Sequence, residues 1–204
     1  MQGFRKVLLL GGDCISRLCA SDDMANQMLF GDAGFAAVLD FTEKEVPSHY
    51  LLGTDGHGAD VIRALGASPY PLEGKERTLK MDGLEVANFT MDVIPTEIKA
   101  FLLKNEASIE DYAGVCFHQA NLFILKQIAL LSAIPKTKVF ISIDQYGNTS
   151  SASIPLTLCA MGDRAKGRIL MAGFGVGLSW GLWDTDLSQT MFYPVIKVED
   201  VKNV

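Results

Sequence analysis

Residues 115–131 read VCFHQANLFILKQIALL, and the order of their apolar and polar side chains decides how the chain folds. An apolar run of strand type ends at Phe117, and the polar pair His118 and Gln119 follows at once. Residues 122–131 then predict a helix with one charge, Lys126, which should lie between layers because it is apolar on almost every side. A polar pair at such an edge must be hydrogen-bonded or functional, since an unpaired buried polar group costs roughly 1–3 kcal/mol.

Strand-like apolar runs alternate with helical patterns along the chain, and this alternation predicts an α/β layered fold. Residues 43–74 are rich in glycine, proline, aspartate and serine, so they predict loops and a seam between two lobes. An amphipathic helix is predicted at 81–105, with Pro95 able to kink or restart it. Buried-type strands are predicted at 7–10 and 35–41, further strands at 49–53, 112–117, 138–143, 168–174 and 177–183, and helices at 121–132 and 149–161.

The composition is that of a globular protein. The chain has 204 residues, 49% of them hydrophobic and 21% charged, and its net charge of −6 argues against nucleic-acid binding. No apolar run reaches the ~18 residues of a membrane span, and the N-terminus lacks a signal-peptide pattern, so we expect a soluble protein. The four cysteines and three histidines lack metal-ligand spacing, which favours reduced thiols, a cytoplasmic location, and neither a metal nor a cofactor.

Three polar stretches stand beside predicted strand ends: HQAN at 118–121, YGNTSSASIP at 146–155 and GFGVGLSWG at 173–181. Ligands collect at the carboxyl ends of strands in layered α/β folds, so the three stretches could converge on one site. Each stretch also has a simple structural explanation. His118 could be a hydrogen-bonded core histidine, Asn148 a turn residue, and the glycines part of a tight hairpin.

Together with FGDAGFAAVLD at 30–40, and in this order, the three stretches resemble the C-terminal half of 3-oxoacyl-[acyl-carrier-protein] synthase III, a condensing enzyme of the thiolase superfamily. The resemblance extends from about residue 7 to about residue 183. It implies a thiolase-like α/β fold, in which a mixed sheet is layered with helices. Residues 1–48 would be the last strands of an N-terminal half and residues 49–204 the C-terminal condensing-enzyme domain, with a homodimer for the full-length enzyme.

The resemblance implies a decarboxylative Claisen condensation in fatty-acid biosynthesis. A cysteine thiolate takes an acyl group from acyl-CoA or another acyl thioester, and malonyl-[acyl-carrier-protein] then loses carbon dioxide and attacks the acyl-cysteine. His118 and Asn148 match the family's histidine and asparagine, whose N–H groups donate to the malonyl thioester oxygen as the enolate forms. The glycine-rich loop of the family is matched by Phe174, Gly175, Val176 and Gly177, where the N–H of Val176 would serve the second oxyanion.

The family's nucleophilic cysteine has no counterpart in this sequence, because it lies upstream of the strand matched by KVLLLGGD at 6–13. The cysteines present lie neither at a predicted helix N-terminus nor beside an evident cation, and fit structural thiols: Cys14, Cys19, Cys116 and Cys159. The chain alone is therefore expected to be inactive in the complete condensation. It is either a fragment of a longer enzyme, which we favour, or a short relative acting as an interaction or regulatory module; part of a polyketide-type ketosynthase is a further alternative.

Other positions depart from the family pattern where partners are contacted. Met24 replaces an arginine near the CoA adenine, and Phe123 replaces an arginine that contacts the carrier protein. Leu84 and Asn88 replace an asparagine and a lysine near the pantetheine tunnel. Lost cations weaken recognition of phosphates and acidic proteins, so a specialised acyl donor or carrier is expected. The tail from residue 184 onward passes the family's usual end and predicts an extra surface strand.

Overall fold

The structure is a computed structural model that describes residues 5–43, 45–65 and 78–201. Within these ranges no helix is both long enough and apolar enough to cross a membrane. The elements are β1 (Lys6–Asp13), α1 (Met24–Leu29), β2 (Ala33–Asp40), β3 (His49–Thr54), β4 (Ile62–Leu65), β5 (Thr78–Met81), α2 (Gly83–Lys104), β6 (Gly114–Phe117), α3 (Leu122–Leu131), β7 (Val139–Phe140), α4 (Ile143–Tyr146), α5 (Ser153–Met161), β8 (Arg168–Gly175), β9 (Ser179–Asp186) and α6 (Val198–Val201).

The centre of the molecule is a five-stranded mixed sheet with strand order β3-β9-β8-β6-β7. Strand β6 pairs in parallel with β7 and β8, whereas β9 pairs antiparallel with β8 and β3. Successive side chains of a strand point to opposite faces. Accordingly Leu170 and Ala172 of β8 belong to one core cluster, and Ile169 and Met171 belong to another. Both faces of this sheet are therefore packed.

Helices α2 and α3 cover one face of the sheet. Asp82 caps α2 by accepting from the backbone N–H groups of Leu84 and Glu85, each at 3.1 Å. The helix continues through Pro95 as one element, so the proline does not restart it. From α2 and α3, Ile94, Ile98, Phe101, Ile124, Leu125, Ile128 and Ala129 enter the larger core.

Helix α5 lies against the other face of the sheet and also contacts strand β2. Its side chains Ile154, Leu158 and Met161 pack against the second core of Cys116, Phe140, Ala165, Ile169 and Met171. The helix between layers is therefore α5. Burying 122–131 on all sides was a wrong expectation for this chain, because α3 buries one face only and leaves Phe123 60% and Leu130 70% exposed.

Strands β1 and β2 form a separate two-stranded antiparallel ribbon, in which Lys6 pairs with Asp40 and Asp13 with Ala33. The strands predicted at 7–10 and 35–41 are confirmed, and their apolar side chains, of the type that strands usually bury, are largely exposed in this chain. Leu8 is 60% exposed, Leu10 66% and Val38 65%. The reason is geometric: the ribbon's main contacts within the described chain are the turn at 150–152 and α5, and no second layer of the described chain covers it.

A buried carboxylate, Asp184, fastens the edge strand β3 to the sheet. Its two oxygens accept from the His49 backbone N–H at 2.7 Å, the Tyr112 hydroxyl at 2.8 Å and Arg168 Nε at 3.1 Å. His49 Nδ1 lies 2.9 Å from the same carboxylate. Burial alone would raise the pKa of Asp184, but the hydrogen bonds from Tyr112, His49 and Arg168 outweigh burial, and the pKa falls below its ordinary value.

Smaller expectations have mixed outcomes. The sequence patterns missed strand β4, which pairs with β5, and only Val139–Phe140 of the strand predicted at 138–143 forms. The predicted loop at 66–74 lies outside the described residues. In the tail, residues 184–186 continue β9, but no extra strand follows within the described chain; instead Leu187 and Phe192 pack on the second core.

Candidate active site

His118 follows strand β6, at its carboxyl end. Its backbone N–H donates to the Ala172 carbonyl of β8 at 2.8 Å, which fixes the residue at the edge of the sheet. Its ring nitrogen Nδ1 lies 2.7 Å from the Ser153 hydroxyl, at the start of α5. The ring also packs edge-on against Phe174, with a centroid distance of 5.3 Å and an interplanar angle of 86°. One ring nitrogen is thus held by α5, and the ring plane is fixed by β8.

The environment of His118 keeps the imidazole neutral. Burial lowers its pKa from 6.5 to about 4, and a hydrogen bond with the Ser150 backbone offsets only part of this effect. At neutral pH the ring therefore carries one N–H and one unprotonated nitrogen. A neutral N–H donor can stabilise a developing oxyanion without giving up its proton.

The position of Asn148 is fixed by close backbone contacts with residues 29–31 rather than by a long helix or strand. Gly147, at φ 68°, turns the chain after α4, and the Asn148 N–H then donates to the Leu29 carbonyl at 2.9 Å. In return the Gly31 N–H donates to the Asn148 carbonyl at 3.0 Å. A Cβ added to Gly31 would lie 2.1 Å from the Tyr146 carbonyl oxygen, so this close contact requires glycine at position 31.

Asn148 is 6% exposed, and the hydrogen bonds of its carboxamide fix which way that group faces. The Ser150 backbone N–H donates to Asn148 Oδ1 at 3.0 Å, which identifies that atom as the oxygen. Nδ2 makes one long bond, 3.4 Å, to the Ala120 carbonyl. An amide NH₂ has two donors, so one N–H of Asn148 is left over for a ligand.

The glycine-rich loop connects β8 to β9. Gly177 has φ 143°, and a Cβ there would lie 2.1 Å from the Ser179 hydroxyl, so only glycine fits this turn. The loop is tied to strand β3, because the Thr54 hydroxyl and the Asp55 N–H both donate to the Leu178 carbonyl, at 3.0 and 2.7 Å. Val176 is 64% exposed at the tip.

One cavity of about 430 Å³ brings most of the predicted site together. His118, Asn148, Phe174, Gly175 and Val176 all line it, whereas Gly177 does not. No charged side chain of the described residues lines the cavity. Its apolar wall comes from Ile62, Leu79, Met81, Val86, Phe89 and Ile124. The arrangement offers neutral hydrogen-bond donors in an apolar enclosure.

Gln119, the second residue of the polar pair, has a structural role. It is 1% exposed, and its Nε2 donates to the carbonyls of Phe117 at 2.8 Å and Phe140 at 3.3 Å. Its Oε1 accepts from the Ser142 N–H at 3.0 Å. Both ends of the amide are used in joining β6 to the segment after β7, so Gln119 has little capacity left for a ligand.

None of the four cysteines lines the cavity. Cys116 is fully buried in the second core, and desolvation raises the pKa of its thiol. Desolvation also raises the pKa of Cys19 and of Cys159. A raised pKa keeps a thiol protonated and weakly nucleophilic at neutral pH. Cys14 is exposed and lies outside the cavity lining.

Sequence reasoning missed the residues that hold the two side-chain donors. Ser150 and Ser153 stand inside the quoted stretch at 146–155. The hydrogen bond of Ser150 to Asn148 spans only two residues, whereas the bond of Ser153 to His118 depends on how β6 and α5 meet. The contribution of Leu29 and Gly31 was missed because it depends on contacts between segments far apart in the sequence. At the positions that depart from the family pattern, the apolar replacements are exposed: Met24 at 62%, Leu84 at 70% and Phe123 at 60%.

Comparisons with known proteins agree with this geometry. Residues 1–56 match the family model described as 3-oxoacyl-[acyl-carrier-protein (ACP)] synthase III, and residues 102–183 match the model of its C terminal. A curated beta-ketoacyl-[acyl-carrier-protein] synthase III of Clostridium tetani is 33% identical over 193 residues, which cover 86% of this chain and 58% of that protein. The chain thus spans less than two thirds of the length of this curated relative.

Solved structures show the same likeness. A 3-oxoacyl-(acyl-carrier protein) synthase from Burkholderia xenovorans matches with a TM-score of 0.83 and 35% identity, over 89% of this chain and 56% of that one. The priming beta-ketosynthase of a polyketide biosynthetic pathway matches with a TM-score of 0.79 and 28% identity, over 90% of this chain and 57% of that one. The predicted thiolase-like α/β fold with a mixed sheet is confirmed.

Proposed function

Because this chain belongs to the 3-oxoacyl-[acyl-carrier-protein] synthase III family, we propose that it is the part of a condensing enzyme that decarboxylates a malonyl thioester. The observation that carries the proposal is the shared cavity, which both His118 and Asn148 line, with Nδ1 of His118 held by Ser153 and one amide N–H of Asn148 left over for a ligand. The reaction breaks the bond between the carboxylate and the α-carbon. Carbon dioxide leaves, and the electron pair moves into a thioester enolate.

The two donors stabilise the charge that develops in this step. If the Ser153 hydroxyl donates to Nδ1 of His118, the remaining ring N–H is on Nε2 and can point at the thioester oxygen. The free N–H of Asn148 would reach the same oxygen. A pre-positioned donor of this kind contributes roughly 3–4 kcal/mol, or a factor of 10² to 10³ in rate, because the negative charge gathers on that oxygen only in the transition state.

The uncharged lining supports the loss of carbon dioxide. A malonyl carboxylate entering this cavity leaves water and meets no cation among the described lining residues. Burial without a counter-ion disfavours the charged carboxylate, whereas its product, carbon dioxide, is neutral and apolar. The negative charge moves at the same time to the thioester oxygen, where His118 and Asn148 supply donors.

The acyl half of the reaction needs a nucleophile from outside this chain. In the proposal, malonyl-[acyl-carrier-protein] supplies the enolate, and acyl-CoA or another acyl thioester charges a cysteine of the missing half. The N–H of Val176 would stabilise the oxyanion of that acyl-cysteine, since Val176 lies at the cavity rim. The full-length enzyme would be a cytoplasmic homodimer, and this chain alone would be inactive in the complete condensation.

The experiment measures carbon dioxide released from a malonyl thioester of pantetheine by the purified chain. His118→Ala and Asn148→Ala should each lower the rate by roughly 10² to 10³, because each removes one donor from the oxyanion. The matched control is His57→Ala, on an exposed side chain outside the cavity lining, which should keep the original rate. Near-original rates in both site variants, or no release by the unaltered chain, would overturn the proposal.

A second candidate is a non-catalytic interaction module, favoured by the exposed apolar ribbon β1–β2. Its mark would be a stable complex with another polypeptide that survives the double change of His118 and Asn148 to alanine. Membership of a polyketide-type ketosynthase is a variant of the first candidate, and the likeness to a priming beta-ketosynthase is its support. Comparing the acyl groups accepted after complementation with an N-terminal half would separate the two synthases.

A further inference from the structure

Asp13, the last residue of β1, reaches across to the loop that carries Asn148. One carboxylate oxygen, Oδ2, accepts both from the Ser151 backbone N–H at 3.0 Å and from the Ser151 hydroxyl at 2.5 Å. We propose that Asp13 is a positioning residue of the decarboxylation site, acting through Ser151 and its neighbour Ser150 on the Asn148 donor. The inference rests on the proposed function for what this donor does, but the placement itself is a property of this chain.

Ser150, next to Ser151, is the link between Asp13 and the Asn148 donor. Its N–H donates to Asn148 Oδ1 at 3.0 Å. Ser150 has φ 51°, in the left-handed region that a residue with a Cβ enters only when its surroundings hold it there. The contacts on either side, through Asn148 and Ser151, supply that restraint.

Helix physics explains why an aspartate suits position 13. Residues 150–152 form the first turn that leads into α5, and the first N–H groups of a helix have no partner within the helix. A carboxylate there satisfies one such N–H and interacts favourably with the positive end of the helix dipole. In most helices the preceding residue does this, whereas here the carboxylate comes from a strand 138 residues away in sequence.

The charge state of Asp13 agrees with this role. Burial on its own would raise the pKa of Asp13, but the hydrogen bonds from Ser151 and Ser150 lower it by more, so the pKa lies below its ordinary value. The group is therefore a carboxylate at neutral pH. Leu29 and Gly31 also form backbone hydrogen bonds with Asn148. Residues from the first 31 positions of the chain therefore hold Asn148 in place.

The test compares Asp13→Ala and Asp13→Asn with a matched control, Asp111→Asn. Asp111 makes the same kind of contact far along the chain, since its Oδ2 accepts from the N–H and the hydroxyl of Ser108, at 2.7 and 3.2 Å. The readouts are the NMR signals of the Asn148 side-chain amide, and kcat and KM for malonyl-pantetheine decarboxylation. The Asp13–Ser151 contact is exposed, so both variants should fold.

Asp13→Ala should shift the Asn148 signals and lower kcat roughly 10- to 100-fold at a nearly constant KM, because the Asn148 donor would be misoriented while the residues that line the cavity stay in place. Asp13→Asn keeps an acceptor oxygen and should recover part of kcat, and Asp111→Asn should leave signals and rate unchanged. Unchanged signals in Asp13→Ala would overturn the inference. If the unaltered chain releases no carbon dioxide, the proposed function fails, but the signals still decide the role of Asp13.

Discussion

The N-terminal ribbon and the five-stranded sheet are built from strands of similar apolar character, yet they differ in what covers them. In the sheet, Leu170 of β8 is fully buried between α2, α3 and the other strands. In the ribbon, Leu10 of β1 is 66% exposed. The comparison shows that an apolar run predicts a strand, whereas its burial depends on layers that come from elsewhere in the protein.

The two regions also differ in what they contribute: the sheet contributes to the stability of the fold, and the ribbon to the position of the Asn148 loop. The sheet and its helices hold both hydrophobic core clusters of the described chain. The ribbon has few buried side chains, but Asp13 at the end of β1, together with the backbone at 29–31 just before β2, holds the Asn148 loop. Changes in the sheet should therefore affect folding, while changes in the ribbon should affect the site more than the fold.

The largest expected effect is on the buried carboxylate of the sheet. Asp184→Asn removes the negative charge that accepts hydrogen bonds from Arg168, Tyr112 and His49. It should lower the free energy of unfolding by roughly 3–5 kcal/mol, because Arg168 loses the charge of its buried partner. The ribbon control is Asp40→Asn, whose partner Lys6 is solvent-exposed. For Asp40→Asn, urea unfolding should show a loss of unfolding free energy below about 1 kcal/mol. Equal losses in the two variants would contradict the proposed difference between the sheet and the ribbon.

A pair of leucines tests the same difference without charge. Leu170→Ala should cost about 2–5 kcal/mol, since it leaves a cavity in a closed core. Leu10→Ala should change the free energy of unfolding by less than about 0.5 kcal/mol, because its side chain is already in water. The measurement is denaturant unfolding of both variants at one protein concentration. A costly Leu10→Ala would mean that the ribbon is covered in solution, for example by a second copy.

The pH dependence of stability gives the smallest expected effect. His118 has a folded pKa of about 4, below 6.5, so the unfolded chain binds its proton first as the pH falls. The stability that this residue contributes is complete above pH 6.5 and is lost as the pH falls toward 4. The loss in unfolding free energy is at most about 3 kcal/mol, because the ring partly faces the cavity and is only partly desolvated. His118→Gln should flatten the unfolding free energy across this window.

Below about pH 4 the pH dependence of stability comes from carboxylates, in the ribbon as well as in the sheet. Asp13 and Asp184 have lowered pKa values, so their contribution is complete above about pH 3.8 and is lost as the pH falls through their folded pKa. Asp13→Asn should therefore leave the slope between pH 6.5 and 4 unchanged. A changed slope in that variant would show that the ribbon and His118 titrate together.

Much of the site could be predicted from the sequence because its parts lie in short stretches at strand ends. His118, Asn148 and the loop at 174–176 meet in one cavity, as the order of the motifs indicated. The buried helix was misplaced since α3, with one lysine, was judged by composition. Helix α5 reads SIPLTLCAM and has no charged residue, and it is the helix that lies between the sheet and strand β2, although only Ser153 and Thr157 of it are fully buried.

The remainder depends on tertiary structure. Ser153 is a small polar residue of a kind that sequence patterns assign to turns, and only the meeting of β6 with α5 gives it His118 as a partner. Asp13 ends a strand like many other aspartates, and its contact with Ser151 spans 138 positions. Strand β4 was missed because it has four residues beside a glycine-rich stretch, so its pairing with β5 has no local signal.

The C-terminal tail has a practical consequence. The matched family region ends at residue 183, which invites shortening the protein there for crystallisation or fusion. Such a cut would remove the last residues of β9, including Asp184, and would strip Leu187 and Phe192 from the underside of the second core. Engineered C-terminal boundaries are better drawn after residue 193, where the chain has finished covering Met171 and its neighbours.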